Sequence, residues 1–270
     1  MTFVQLPYHA RLLRVGDWIR TRASVYVLCF VGGCMECISF TLLFHSLLGV
    51  MTVNTMMGVI GVVQKIDVRQ SILHLMTVFA FLALVLAHNI ISLKRKRMHR
   101  SIRNLRCLAA ETVLVFIFAC GASFLYRHGM MREANVSVFA FVCLGSVALY
   151  LQNYVVQLDI QFPTATMVMT GNYIALIVNA SRVIARSADR EKAVPALKHY
   201  VSVHLSFWFG VLVMAIVSRD YDFLSLLLSC ALLAILTIAF AMGDHSDEHA
   251  AVALSAPDSE LVTSESRTGQ

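Results

Sequence analysis

Charged side chains are scarce in this sequence. Asp, Glu, Lys and Arg make up 14% of the 270 residues, whereas soluble domains carry about 25%. Hydrophobic residues reach 58%, so polar side chains cannot cover a water-exposed surface of this chain. A soluble globular enzyme is therefore excluded. The 16 Phe and 8 Tyr residues also exclude low-complexity disorder, because they need an apolar environment.

Recognisable catalytic and ligand-binding patterns are also missing. The sequence contains no H-E-x-x-H, no G-x-S-x-G and no P-loop. Cys34 and Cys37 form a C-x-x-C that has no second pair or histidine partner at zinc spacing. Four histidines lie in or near apolar runs, where packing is commoner than ligation: His45, His74, His88 and His204. We therefore expect no enzyme activity, no metal or other cofactor, and no nucleic-acid partner.

Long apolar runs dominate what is present. Six of them are long enough to cross a bilayer core, which takes about 17–25 helical residues. They cover residues 24–44, 72–93, 107–126, 136–156, 199–217 and 223–242. Two further runs, 48–64 and 163–181, are interrupted by Thr, Asn and Gly, which favour caps and irregular backbone. The sequence predicts an all-α polytopic membrane protein with about six transmembrane helices plus two broken or re-entrant helices.

Basic residues in the loops distinguish two topologies. Full crossing by both interrupted runs would give eight spans, with 13 basic residues inside and 8 outside before the tail. If both runs return to the side from which they enter, six spans result, with 16 basic residues inside and 5 outside. The positive-inside bias prefers six spans. Residues 94–106 then face the cytoplasm with seven basic side chains, and we expect them to contact anionic lipid.

The chain divides into three segments by composition. Residues 1–23 form a basic segment that we expect in the cytoplasm, and residues 24–243 form the transmembrane domain. Residues 244–270 are rich in Ser and acidic side chains, and we expect a disordered tail. The predicted location is the cell inner membrane, with multiple passes and both termini cytoplasmic.

The two interrupted runs occupy similar positions in two halves of the chain. Met-Thr-Val-Asn (51–54) and Met-Thr-Gly-Asn (169–172) each follow a span that carries a polar residue, and each precedes a span with an aromatic cluster. This predicts two repeats, at about 24–126 and 136–242, which are inverted in the six-span topology. Many secondary transporters share this plan and bind their substrates at broken helices near the midplane.

At these motifs the sequence resembles the YoaK family of bacterial inner-membrane proteins, catalogued as domain of unknown function 1275. The resemblance runs from about residue 25 to 240 and is carried by four stretches: 32–40 (GGCMECISF), 51–55 (MTVNT), 151–153 (LQN) and 169–172 (MTGN). It implies a membrane protein with six spans and no established activity, for which transport is the usual hypothesis. Two residues depart from the family pattern. Glu36 stands where Asp is usual, and Val53 replaces a Gly, although Val cannot adopt positive φ as Gly can.

Glu36 is the first candidate site residue, because it is the only acidic side chain in the first span. A carboxylate at bilayer depth normally faces a cavity or a partner. Glu36 therefore indicates either a proton or cation site, or a hydrogen bond that packs two helices together.

Six polar residues complete the predicted substrate- or ion-binding set. Four lie where the interrupted helices start or break, where side chains can bind a ligand or merely cap the helix: Thr52, Asn54, Thr170 and Asn172. Gln152 and Asn153 are adjacent and point about 100° apart on a helix, so either ligand contact or interhelical packing is open to them. We expect Glu36 and the Asn residues of both halves to approach one another in the interior.

Three functions fit these features. The first is a small-solute secondary transporter or permease of the cytoplasmic membrane, coupled to a proton or cation near Glu36. The second is a channel-like pore, which would show passive and uncoupled flux. The third is a non-transporting membrane scaffold protein. The inverted repeat and the intramembrane carboxylate favour the transporter.

Overall fold

The computed structural model describes residues 23–94, 100–159, 164–166 and 169–255. These residues form eight α-helices and one short 3-10 helix, without any β-strand. The α-helices are α1 Ser24–Leu42, α2 Met51–Gln64, α3 Val68–Lys94, α4 Arg100–Arg127, α5 Val136–Asp159, α6 Thr170–Ile184, α7 Arg190–Tyr221 and α8 Leu227–Ser255. The 3-10 helix, Asp222–Leu226, joins α7 to α8. The predicted all-α class is confirmed for this part of the chain.

Five helical stretches among the described residues are long and apolar enough to cross a membrane. They are Ser24–Leu42, Val68–Ile91, Arg103–Arg127, Val136–Val156 and Arg190–Met242, and the last of these runs through α7, the 3-10 helix and α8. Large apolar side chains cover the outside of the bundle, such as Phe79 on α3 and Phe209 on α7. A surface of this kind belongs in lipid rather than in water. The protein is a helical membrane protein.

In each half of the chain, a helix of intermediate length is followed by a short helix and then by two long helices. The first half has helices of 19, 14, 27 and 28 residues. The second half has helices of 24, 15, 32 and 29 residues. The short helix α2 lies within the first interrupted run, and α6 begins within the second and ends three residues after it. At about 1.5 Å per residue, each is only about 21–23 Å long, which is less than a bilayer core of about 30 Å.

Several helices extend beyond the apolar runs from which they were predicted. Helix α4 begins at Arg100, inside the predicted 94–106 loop, and α7 begins at Arg190 rather than near residue 199. Both extensions are rich in Arg and Lys, which are good helix formers but lower the hydropathy on which the prediction relied. Helix α8 continues to Ser255, so the predicted tail 244–270 starts as a helix. The predicted N-terminal segment and the rest of the tail lie outside the described residues, apart from Ala23.

The most extensive helix contact among the described residues joins the two halves of the chain. A Cβ atom on Gly33 of α1 would overlap the carbonyl oxygen of Phe207 on α7, and one on Gly210 of α7 would overlap the carbonyl oxygen of Phe30 on α1. The thiol of Cys34 donates to the carbonyl oxygen of Gly210 at 3.5 Å. Small residues let membrane helices approach until their backbones touch. This close packing stabilises the helix pair in lipid, where the hydrophobic effect does not drive helices together.

One end of the bundle contains the ends of α1, α4 and α7 and the start of α3. The Gln70 side-chain amide, at the start of α3, donates to the carbonyl oxygen of Phe44, just after α1, at 2.7 Å. Arg127, at the end of α4, pairs with Asp222, just after α7, at 3.2 Å. Arg69, near the start of α3, forms an exposed ion pair with Glu133, which follows α4. This pair places the two contacts at the same end of the bundle.

The opposite end of the bundle gathers the other helix termini. Tyr26, near the start of α1, contacts His199 of α7 at 3.5 Å. The same imidazole contacts the Thr164 hydroxyl, which follows α5, at 2.8 Å. Near the start of α4, the Arg103 guanidinium lies 5.7 Å from the ring centroid of Tyr154, near the end of α5. Since Tyr26 pairs with His199 and Cys34 with Gly210, α1 and α7 run in the same direction.

The glycine contact between α1 and α7 makes a first prediction. Gly33→Ala and Gly210→Ala should each lower the free energy of unfolding by about 1–3 kcal/mol, because an added methyl group must push two backbones apart. Gly171→Ala is the matched control, since nothing lies within 4 Å of the position of its Cβ. Thermal unfolding of the purified protein in detergent measures the difference. Equal stability of Gly33→Ala and Gly171→Ala would contradict the contact.

Candidate functional site

The loop between α1 and α2, residues 43–50, places irregular backbone inside the bundle. Phe44 and His45 have positive φ values of 55° and 60°, which turn the chain sharply after α1. Leu43, Ser46, Leu48 and Gly49 are buried, so most of the loop is packed in protein, while His45 is exposed. Its backbone N–H and C=O groups therefore need partners within the protein.

Glu36 binds this loop with both carboxylate oxygens. The backbone N–H of Gly49 donates to Oε1 at 2.7 Å, and that of Leu48 donates to Oε2 at 3.0 Å. Glu36 itself is 5% exposed. Two N–H donors that face two acceptor oxygens suit the ionised carboxylate, because a protonated carboxyl would present a hydrogen to one of them. Glu36 thus attaches the start of α2 to α1.

Asn54 binds the same loop from the other side. The Leu47 N–H donates to Oδ1 at 3.1 Å, and Nδ2 donates to the Leu47 carbonyl oxygen at 2.6 Å. His74 Nδ1 lies 3.2 Å from the same Oδ1. Because Oδ1 can only accept, His74 must carry its hydrogen on Nδ1. One side-chain amide thereby satisfies both backbone groups of Leu47 and links α2 to α3.

The loop that precedes α6 is held in a similar way. The Thr166 N–H donates to Asn153 Oδ1 at 3.2 Å. The Ala165 N–H donates to Asn172 Oδ1 at 3.2 Å, and Asn172 Nδ2 donates to the Ala165 carbonyl oxygen at 2.7 Å. Asn153 takes the place that Glu36 has in the first half, and Asn172 takes the place of Asn54.

The two loops also share side-chain contacts that a similar hydropathy pattern alone would not produce. Each asparagine lies seven residues after the residue whose backbone it binds. Nδ2 of each also contacts the sulfur of a methionine three residues earlier: Met51 at 4.0 Å and Met169 at 3.2 Å. The Met-Thr-x-Asn motif therefore fixes one loop geometry twice.

Each loop also packs against a glycine in the other half. A Cβ on Gly32 of α1 would lie 2.9 Å from the carbonyl oxygen of Thr166 and 3.2 Å from Gln152 Nε2. A Cβ on Gly145 of α5 would lie 2.7 Å from Cδ1 of Leu48. Both glycines leave room for the opposite loop. Gly32, which contacts the second loop, precedes Glu36, which binds the first loop, by about one helical turn, or about 6 Å along α1. The two loops therefore contact neighbouring positions of the same helix.

Unpartnered oxygen atoms lie where the second loop meets α1. Gln152 Nε2 donates to the Leu28 carbonyl oxygen at 2.7 Å. The Oε1 atom of Gln152 and the hydroxyl of Thr166 are buried without a hydrogen-bond partner among the described residues. Both side chains are fully buried. Buried polar atoms normally have partners, so these two oxygens can bind a water molecule, a cation or a donor group of a solute.

The structure divides the predicted site residues into two sets. Glu36 and Asn54 meet on the first loop, while Gln152, Asn153 and Asn172 surround the second. The remaining two residues of the set, Thr52 and Thr170, are exposed at the starts of α2 and α6.

The Val that replaces Gly in the first motif fits the backbone. Val53 and Gly171 both lie in regular helices, and neither has a positive φ. Nothing lies within 4 Å of the Cβ position of Gly171. This position therefore needs neither the conformational freedom nor the small size of glycine.

Sequence reasoning missed two polar partners. His74 was read as a packing residue, yet it binds the same oxygen of Asn54 that holds the first loop. Thr166 was not singled out, although its backbone binds Asn153 and its hydroxyl is unpartnered. The only signal for Thr166 was its place within the interrupted run. Among the described residues, no three His, Cys, Asp or Glu side chains come together to hold a metal ion.

Residues 24–239 match a known family, described as "Protein of unknown function (DUF1275)". The matched range agrees with the resemblance seen in the motifs, which is thereby confirmed. No curated protein and no solved structure matches the chain.

The asparagine contacts predict a graded loss of stability. Asn54→Ala and Asn172→Ala each remove the two hydrogen bonds to the loop and leave a backbone N–H and C=O unpaired inside the bundle, so each should lower the free energy of unfolding by about 2–4 kcal/mol. Thr52→Ala and Thr170→Ala change exposed neighbours in the same two motifs and should stay within about 0.5 kcal/mol of the wild type. Thermal unfolding in detergent compares the four variants. Asparagine variants as stable as the threonine variants would show that these side chains do not hold the loops.

Proposed function

The chain belongs to the DUF1275 family, whose description assigns no activity, and we propose that it is a small-solute secondary transporter of the cytoplasmic membrane. The observation that carries this proposal is the pair of unpartnered oxygens, Gln152 Oε1 and Thr166 Oγ1, at the point where the two halves of the chain meet. Polar groups at irregular backbone within a membrane bundle are typical of substrate and ion sites.

The proposed topology has six crossings, with α2 and α6 not crossing. The Phe44–Gln70 contact supports it, because the end of α1 and the start of α3 lie at one end of the bundle, so α2 does not carry the chain across. The Arg127–Asp222 ion pair supports it too, since the ends of α4 and α7 share a side with six crossings but not with eight. Both termini are then cytoplasmic, and residues 94–106 contact anionic lipid.

An inverted repeat explains the pairing of the two halves. Helices α1 to α4 correspond to α5 to α8, and an axis in the membrane plane exchanges them. Support comes from the matched asparagine contacts and from the reciprocal fit of Thr166 at Gly32 and Leu48 at Gly145. Two related halves can exchange conformations, which opens a central site alternately to the two sides of the membrane.

Glu36 is the proposed coupling residue. Its two carboxyl oxygens hold the first loop through the N–H groups of Leu48 and Gly49. A proton or cation at this carboxylate competes with those two donors, because the oxygens bind either the backbone or the ion. Binding of the ion therefore loosens the start of α2, and its release restores the closed loop. This exchange links ion movement to a conformational change.

The topology can be tested with reporter fusions. A reporter active only in the cytoplasm should be active when fused after Arg106 and inactive when fused after Arg132, because six crossings put the first position inside and the second outside. A reporter active only outside should give the reverse pattern at both positions. An external 94–106 segment would replace the six-span topology by eight spans.

The transport proposal needs a solute before it can be measured. Comparison of the metabolites in deletion and overexpression strains should show a class of small polar solutes whose internal concentration changes in opposite directions. Purified protein in liposomes should then accumulate a member of that class when a proton or sodium gradient is imposed. Flux that only follows the solute gradient would indicate a channel-like pore instead, and the absence of any flux would favour a scaffold.

Variants of Glu36 test the coupling. Glu36→Gln should abolish gradient-driven accumulation in liposomes, because the amide binds no proton and presents a donor to one of the two backbone N–H groups. Glu36→Asp keeps the carboxylate and should retain at least a tenth of the wild-type rate. Asn54→Ala is the control, because it loosens the same loop without removing the carboxylate. Normal accumulation by Glu36→Gln would assign Glu36 to packing alone.

A further inference from the structure

A second carboxyl group, Glu111 of α4, lies in the core and takes no part in the loops. Its side chain is fully buried. Neither Oε1 nor Oε2 has a hydrogen-bond partner among the described residues. Leu108 and Val115, about one turn to either side, are also fully buried, so Glu111 belongs to the face of α4 that packs into the bundle.

The apolar stretches of the helices that pack against α4 supply no counter-charge. Residues 136–156 of α5 and 227–242 of α8 contain no Lys, Arg, His, Asp or Glu. Their titratable side chains are the thiols Cys143 and Cys230 and the phenols Tyr150 and Tyr154. The first charged or titratable side chains of α8 beyond this stretch, Asp244 and His245, follow Thr237 by seven and eight residues, about 10–12 Å along the axis, and Thr237 lies beside Thr112, the neighbour of Glu111. The 3-10 helix that also packs on α4 brings only Asp222, which is paired with Arg127.

The cations of α4 itself lie on other parts of the helix. Arg103 precedes Glu111 by eight residues, about 12 Å along the axis, and stacks on the ring of Tyr154. Arg106 precedes it by five residues, about 7.5 Å along the axis and about 140° around it. Neither guanidinium makes a hydrogen bond with the Glu111 oxygens. Cys107, one turn earlier, carries a thiol, which cannot supply a positive charge.

We infer that Glu111 is a proton-binding site in the core of the bundle, where the carboxyl group is held in its neutral form. An ionised carboxylate without donors or a counter-charge is too costly to bury in an apolar interior. A metal cation would need several further oxygen ligands, and none of the side-chain donors or hydroxyls of the described residues bonds to these oxygens. A proton is the one cation that a carboxyl group binds without other ligands.

Glu111 and Glu36 are therefore two buried carboxyl groups in different surroundings. Glu36 accepts hydrogen bonds from two backbone N–H groups, which favour its ionised form, whereas Glu111 faces no donor and carries the proton. The inference does not rest on transport, because it concerns where a proton is bound in the folded protein whether or not any solute moves.

Infrared difference spectroscopy of the purified protein in lipid tests this assignment. The measurement uses the Glu36→Gln background, so that Glu36 cannot contribute a signal. The carbonyl stretching band of a protonated carboxyl group, identified by its shift in heavy water, should be present at pH 6 in Glu36→Gln and absent when Glu111→Gln is added. Glu111→Gln should also unfold at the wild-type temperature, because an amide closely resembles the neutral acid in shape and charge. A band that persists in the double variant, or Glu36→Gln without the band, would overturn the assignment.

A chemical probe gives an independent measurement on the same protein. Dicyclohexylcarbodiimide adds to protonated carboxyl groups in apolar surroundings, and mass spectrometry locates the adduct. We expect an adduct on Glu111 in the folded protein, with labelling that declines as the pH is raised. Labelling of Glu36 without any labelling of Glu111 would overturn the inference.

Discussion

The central constraint on this structure is that non-helical backbone inside a membrane bundle must find hydrogen-bond partners within the protein. Two loops break the helices, and each would leave several N–H and C=O groups unpaired. Side-chain amides and one carboxylate supply the partners: Asn54 and Asn172 each satisfy both backbone groups of one residue, while Glu36 and Asn153 bind the loop from the preceding helix. These four residues make the helix breaks possible.

A second consequence of the lipid environment is the use of glycine at helix contacts. Apolar side chains gain nothing from leaving lipid for one another, so close packing must hold the helices together. Gly33 and Gly210 bring α1 and α7 into backbone contact, and Gly32 and Gly145 each receive the loop of the other half. In α1, Gly32 thus contacts a loop, and the next residue, Gly33, contacts a helix.

Much of this architecture could be predicted from the sequence, because hydropathy and the Met-Thr-x-Asn motif depend on local residues. Apolar runs placed every helix, and the motif placed the starts of α2 and α6. Helix ends at Arg100 and Arg190 were missed, because charged residues can continue a helix out of the membrane without any hydropathy signal. Pairings across the chain were also beyond reach. Nothing local indicates that His74 binds Asn54, that Thr166 fits against Gly32, or that Glu111 faces the core rather than the interface.

The partnership of α1 and α7 has a consequence for how the protein is made. Cys34 and Gly210, which touch across this contact, are 176 residues apart in sequence. Helix α1 is therefore synthesised long before α7, and its glycine face lacks its final partner until α7 has been inserted. Contacts of such long sequence separation form late, because the chain between them must first be ordered. Helices α3 to α5 have to be in the membrane before the first helix can reach its final neighbour, so assembly of the bundle is completed from the C-terminal half.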